Sequence, residues 1–200
     1  MFDYFLVYAN NAISTCHSSV QTGEAIEIGK GYIVRGPGGF NAKQSSVRGK
    51  QRKDRVAILS LGTRLHEALV AAQEVEEADP TLGVTVADAR FMKPLDVDLV
   101  RQLADEHSVL VTVEEGSIGG FGDHVLHFLT LDGLMDDGNL KFRPMVIPDT
   151  YFEAAAQYEQ YERAGLNSEH IRGTILRLTN RLNVPKLEDS DVLEESGVEN

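Results

Sequence analysis

Cysteine occurs once, at Cys16, so no disulfide framework can form within the chain. Nothing in its sequence neighbourhood marks that thiol as reactive. No stretch reaches the roughly 18 consecutive apolar residues of a membrane span. The first twenty residues contain Asp3, lack a basic leader and hold only one short apolar stretch, Tyr4–Ala9, which argues against a secretory signal. The expected location is the cytoplasm, or the plastid stroma in a eukaryote. Basic residues are scarce: 19 Lys and Arg face 31 Asp and Glu, for a net charge of −12. A nucleic-acid partner, which calls for a basic footprint, is therefore not expected. Two catalytic signatures are missing as well. The glycines after Val113 do not follow the G-x-G-x-x-G spacing of a dinucleotide loop, and Ser117 lacks the G-x-S-x-G elbow. Composition still leaves a dispersed Ser-His-Asp arrangement open.

What is present is an ordinary globular chain. Of its 200 residues, 42% are hydrophobic and 25% charged, enough for one domain with extensions or two small ones. Residues 1–23 show no period and are rich in Asn and Ser, as expected of an irregular N-terminal segment. Ala25, Ile26 and Ile28, then Gly29-Lys30-Gly31, then Tyr32–Val34 predict two short strands around a glycine turn. Residues 36–55 form a polar connector that opens on Gly and Pro and ends in Lys50, Arg52, Lys53 and Arg55. It reads as an exposed loop, with a phosphate or nucleic-acid patch as the alternative for the basic 43–55 portion.

A strand–helix rhythm follows. Val56–Leu61 is continuously apolar, as in a strand buried on both faces. Leu65, Ala68, Leu69, Ala72 and Val75 then lie on one helical stripe over 64–77. Val84–Ala87 predicts the next strand, and Asp96 can cap a helix running to Glu106. Val109–Val113 is a further strand, and a helix begins near Gly120. Phe142–Ile147 is a strand that Pro144 assigns to a sheet edge or a strand start. Helices are expected at about 153–164, ended by Gly165, and at 168–182, capped by Ser168. Residues 183–200 are acidic and read as a disordered tail. The alternation implies a three-layer α/β/α domain over residues 24–182 with a mostly parallel sheet.

Val109–Leu129 concentrates the chemistry. Open α/β sheets build sites at the carboxyl ends of their strands, and Glu114 and Glu115 stand at such an end before Gly116, Gly119, Gly120 and Gly122. Neighbouring strand residues face opposite ways, so the two carboxylates are not expected to form an acid/base dyad. A functional loop and a plain strand-to-helix turn fit the glycines equally, and Ser117 reads as a cap for the helix. His124 and His127 can share a helical face, but no further ligands lie nearby for a metal. Arg90 and Lys93 either receive an anion or tie down Asp88 and Asp96.

Six strings carry a family resemblance: AIEIGKG (25–31), VAILSLGTRLHEAL (56–69), VTVADARFMKPLDVDLVRQLA (84–104), HSVLVTVEEGSIGGFGDHVLHFL (107–129), LKFRPMVIPDTYFE (140–153) and AGLNSEHI (164–171). Together they resemble the C-terminal domain of 1-deoxy-D-xylulose-5-phosphate synthases, thiamine-diphosphate enzymes related to transketolase. The resemblance implies a transketolase C-terminal fold and a parent transferase joining pyruvate to glyceraldehyde 3-phosphate with loss of carbon dioxide, for isoprenoid-precursor, thiamine and pyridoxal synthesis. It also implies that thiamine diphosphate and magnesium belong to two other domains, whose motifs do not occur here, and that the full enzyme is a homodimer. The phosphate-binding arginine of a YPRGN-like string has no counterpart in Phe5–Asn11. On this view the chain is a terminal fragment, a truncated product or one piece of a split enzyme. By itself it binds no cofactor and has no catalytic residues. Glu114, Glu115, Gly119, Gly120, Gly122, Arg90 and Lys93 become candidates for interdomain contact. Two other readings are a binding or regulatory module that kept the fold without the reaction, and the C-terminal piece of another transketolase-like enzyme, such as a 2-oxoacid dehydrogenase β subunit.

Overall fold

The apolar runs become the inner strands of a single sheet in the computed structural model, which describes residues 26–38 and 54–181. The irregular segment 1–23 with Cys16, most of the 36–55 connector and the acidic tail 183–200 lie outside the described residues. Five strands, β1 (Tyr32–Arg35), β2 (Arg55–Ser60), β3 (Gly83–Asp88), β4 (Val109–Ser117) and β5 (Lys141–Ile147), are arranged in the order β1-β3-β2-β4-β5. All pairs are parallel except β1 with β3. Because β2 lies between β3 and β4, the chain runs outward from β2 on one side and later on the other. The crevice where those directions diverge opens at the carboxyl ends of β2 and β4.

Alternation along the buried strands divides the core into two. Val56, Ile58, Val84, Val86, Val111 and Val113 face α1 (Leu65–Ala78) and α5 (Ser168–Leu178). Ala57, Leu59, Ala87 and Leu110 face α2 (Val97–Glu106) and α3 (Phe121–Leu131). This is the expected three-layer α/β/α arrangement with a mainly parallel sheet. Proline 144 lies on β5 at the sheet margin, where the missing N–H does least harm. Asp96 caps α2 by accepting a hydrogen bond from Leu99 N at 3.1 Å.

Three local expectations need correction. The turn at Gly29-Lys30 forms, with Lys30 N donating to Glu27 O at 3.2 Å, but no hairpin does. Ile28 is exposed and lies outside any strand, and β1 instead pairs antiparallel with β3. The helix expected from 153 begins later, as α4 (Gln157–Ala164). Asn167, not Ser168, holds the cap position of α5. The Ser168 N–H is met from α1 by the Glu67 carboxylate at 2.8 Å, which locks two helices of one layer together.

His107, fully buried just beyond α2, bridges two elements. Its Nδ1 lies 2.8 Å from Leu103 O and its Nε2 2.7 Å from the Thr85 hydroxyl on β3. A carbonyl can only accept, so the ring donates through Nδ1, while the Thr85 hydroxyl can serve Nε2 as either donor or acceptor. His107→Ala is expected to lower unfolding free energy by about 2–4 kcal/mol, since it leaves a cavity and strips two buried polar groups of a partner. A urea midpoint shift at unchanged slope checks this.

Candidate functional site

Beta-strand 4 continues past Val113 through Ser117, so Glu114 and Glu115 are strand residues and diverge to opposite faces as the two-residue period requires. Glu114 is buried. Its Oε2 accepts from Phe121 N at 2.9 Å and its Oε1 from Gly122 N at 2.7 Å. Those are the first two N–H groups of α3, which have no partner inside the helix. The positive end of the helix dipole adds to the attraction. Ser117, expected to cap α3, has no such bond; the cap position belongs to Gly120.

The glycines are explained by this carboxylate. A Cβ on Gly120 would sit 2.5 Å from Glu114 Oε2, and one on Gly116 would fall even closer to the same oxygen. A Cβ on Gly122 would meet Pro144 Cβ at 2.7 Å and Thr112 Oγ1 at 2.9 Å. The glycine run therefore lets backbone and helix close around a side-chain carboxylate. Asp123 finishes the turn by accepting from Gly119 N.

Glu115 turns the other way, into a cluster that sequence reasoning missed. Its Oε1 accepts hydrogen bonds from the Thr63 hydroxyl and, at 2.5 Å, from the Tyr161 hydroxyl on α4. Arg64, in the 3-10 turn after β2, forms an ion pair with it at 3.4 Å and lays its guanidinium over the Tyr161 ring at 3.6 Å. Burial, then the bond to Glu115, raises the Tyr161 pKa above the ordinary phenol value. The phenol remains a proton donor at neutral pH, as a bond to a carboxylate needs. Glu115 and Tyr161 lie 46 residues apart in sequence, so no local pattern joins them.

On the β1 side, Asp88 is tied to Arg90 as expected, though through the backbone N–H, and Asp96 is tied to neither expected base. Asp96 accepts from Gly31 N at 3.0 Å and pairs with Lys30 at 3.5 Å. Arg90 adopts a left-handed conformation, φ 56°. Its N–H donates to Asp88 at 2.9 Å and its guanidinium stacks on Tyr32 at 3.9 Å. Lys93 is exposed. His124 is partly exposed and His127 exposed on α3. Among the described residues no group of three or more His, Cys, Asp or Glu is placed to hold a metal. No described helix is long and apolar enough to cross a membrane. A thiamine-diphosphate–magnesium group does not fit this donor set, because the one buried glutamate of the loop is saturated by α3 and the other is engaged by Thr63, Tyr161 and Arg64.

Three outcomes follow from this geometry. Glu114→Gln leaves one buried N–H of α3 facing an amide donor, and is expected to cost about 2 kcal/mol in urea unfolding. Tyr161→Phe removes only the hydroxyl's bonds, to Glu115 and from Gln157; its global stability should stay within about 1 kcal/mol, while amide exchange in α4 speeds up. Burial raises the Asp88 pKa against the opposing bond to Arg90 N. A carboxyl whose folded pKa is raised favours the folded state below the ordinary carboxylate range, and that contribution is lost as pH rises through the raised value. Asp88→Asn, whose amide oxygen can keep the bond to Arg90 N, should flatten this part of the stability profile in denaturant titrations between acid and neutral pH.

Residues 45–171 match the family model "Transketolase, C-terminal domain". The chain is 47% identical over 159 residues to "Probable 1-deoxy-D-xylulose-5-phosphate synthase 2, chloroplastic" of Oryza sativa subsp. japonica, covering 80% of this chain and 20% of that protein. It is also 47% identical over 156 residues to "1-deoxy-D-xylulose-5-phosphate synthase 1, chloroplastic" of Cannabis sativa, covering 78% and 19%. The chain thus spans about a fifth of the length of these relatives. Among solved structures, "Split gene transketolase, inactive beta4 tetramer" shares the fold, with a TM-score of 0.60 at 22% identity over 78% of this chain and 44% of that one. The chain belongs to the transketolase C-terminal domain family and is homologous to the C-terminal region of 1-deoxy-D-xylulose-5-phosphate synthases.

Proposed function

We propose that this chain serves as the C-terminal domain of a 1-deoxy-D-xylulose-5-phosphate synthase, the transferase that condenses pyruvate with glyceraldehyde 3-phosphate and releases carbon dioxide. Its part is to brace the polypeptide that carries thiamine diphosphate and magnesium, and to support a homodimer. It does not touch the reacting atoms. The carrying observation is the 47% identity across four-fifths of the chain. The engagement of Glu114 and Glu115 in internal bonds supports a bracing role, since neither is left as a free acid or base. The loop Glu114, Glu115, Gly119, Gly120 and Gly122, with Arg90 and Lys93 on the other half of the sheet end, would meet the catalytic domains. On this reading the place of action is the plastid, as the names of the two relatives state for them, or the cytoplasm of a bacterium.

Purified chain supplied with thiamine diphosphate and magnesium is expected to show no turnover of pyruvate with glyceraldehyde 3-phosphate. Substituted for the matching 159 residues of the rice synthase, it should sustain that turnover. Activity of the chain alone, or a dead but folded chimaera, contradicts the proposal. Under the binding-module reading the chain would associate with no thiamine-diphosphate protein at all.

A further inference from the structure

We propose, resting on the reading above, that the catalytic part of the synthase docks on the carboxyl end of the sheet over β4 and β5, and presents there apolar pockets rimmed by Lys and Arg. Ser117 pairs with Ile147, so the loop after β4 and the segment after β5 leave the sheet side by side. They carry exposed apolar groups: Ile118 is 66% exposed, Tyr151 89% and, on α4, Tyr158 68%. Single exposed apolar residues are common; these three stand on the loop after β4, on the segment after β5 and on α4, which Tyr161 joins to β4 through Glu115. Helix α4 has eight residues and buries none of them. A helix that short is marginal unaided, and here it is held by the Tyr161–Glu115–Arg64 cluster and ended by Gly165 in the left-handed conformation, φ 70°. The helix packs only Tyr161 and Ala164, both partly buried, against the core and leaves the rest of its surface exposed.

The charge of the platform is mainly acidic. Asp149, Glu153, Glu159 and Glu162 are exposed, against the two exposed cations Arg143 and Arg163 at its ends. Tyrosine anchors inside a charged rim are the usual anatomy of a protein–protein contact, and an acidic rim selects a basic one. The size of the occupant comes from the relatives, whose matched part is only about a fifth of their length. A body that large must rest against some face. Both sheet faces are already covered by helices. At the amino end of the sheet, Arg181 pairs with Asp54 and Asp79, and Lys141 donates to Leu178 O, so those groups satisfy one another.

The test uses the rice synthase with this chain in place of its matched residues, comparing the original graft with Tyr151→Asp/Tyr158→Asp, with Ile118→Asp, and with Leu131→Asp and Ile28→Asp as controls on exposed apolar sites elsewhere. Circular dichroism melting of each isolated chain verifies folding, and Ile118→Asp serves if the double variant does not fold. The platform variants are expected to lose at least tenfold in turnover while the controls stay within twofold. An inactive unmutated graft defeats the functional reading itself. An active graft whose platform variants are equally active overturns the docking surface alone. Sedimentation of the isolated chain gives the last outcome: a dimer that the platform variants split, with graft activity unchanged, assigns the face to a second copy and overturns the proposal.

Discussion

A buried carboxylate meeting the first two N–H groups of a helix is the contact on which the carboxyl end of this sheet is built. Glu114 leaves β4 towards α3 and is satisfied by Phe121 N and Gly122 N. A charge at that depth is tolerable only when its oxygens are bonded, and a helix amino terminus supplies both donors and a favourable dipole. The close fit fixes the loop composition, because the positions of Gly116 and Gly120 are too near the carboxylate for any side chain. The angle at which α3 leaves the sheet, and with it the Phe121–Val125–Leu129 stripe in the second core, follows from the same contact.

The neighbouring glutamate organises the opposite face. Glu115 draws together the turn after β2, through Thr63 and Arg64, and the mostly exposed α4, through Tyr161. The two adjacent carboxylates thus act as struts in opposite directions from one strand. This division is why two adjacent acids followed by a glycine loop brace separate elements of the fold and do not face each other as a pair.

The layer architecture was legible in the sequence because buried parallel strands read as continuous apolar runs and their helices carry one-sided stripes. Val56–Leu61 and Leu65–Val75 show both signals, and Asp96 reveals a cap. The opposite directions of Glu114 and Glu115 followed from strand geometry alone. The reading failed where long-range pairing overrode local pattern. Ala25–Val34 has the form of a hairpin, yet β3 supplies a larger partner for Tyr32–Arg35. Arg90 and Lys93 sit beside two aspartates, yet Asp96 is engaged by Lys30 and Gly31, 65 residues from the latter. Arg64 and Tyr161 carry no mark in sequence, since their role exists only once β2, β4 and α4 have met.

The margins of the sheet govern how the molecule can associate. One border is a four-residue strand broken in register between Ile33 and Arg35; the other carries Pro144 directly after the exposed cations Lys141 and Arg143. Neither offers the long, flat row of free backbone groups that recruits a strand from another molecule. Growth by ribbon-to-ribbon joining is therefore disfavoured at both borders among the described residues, so crowding of the domain is not expected to seed fibrils from these rims.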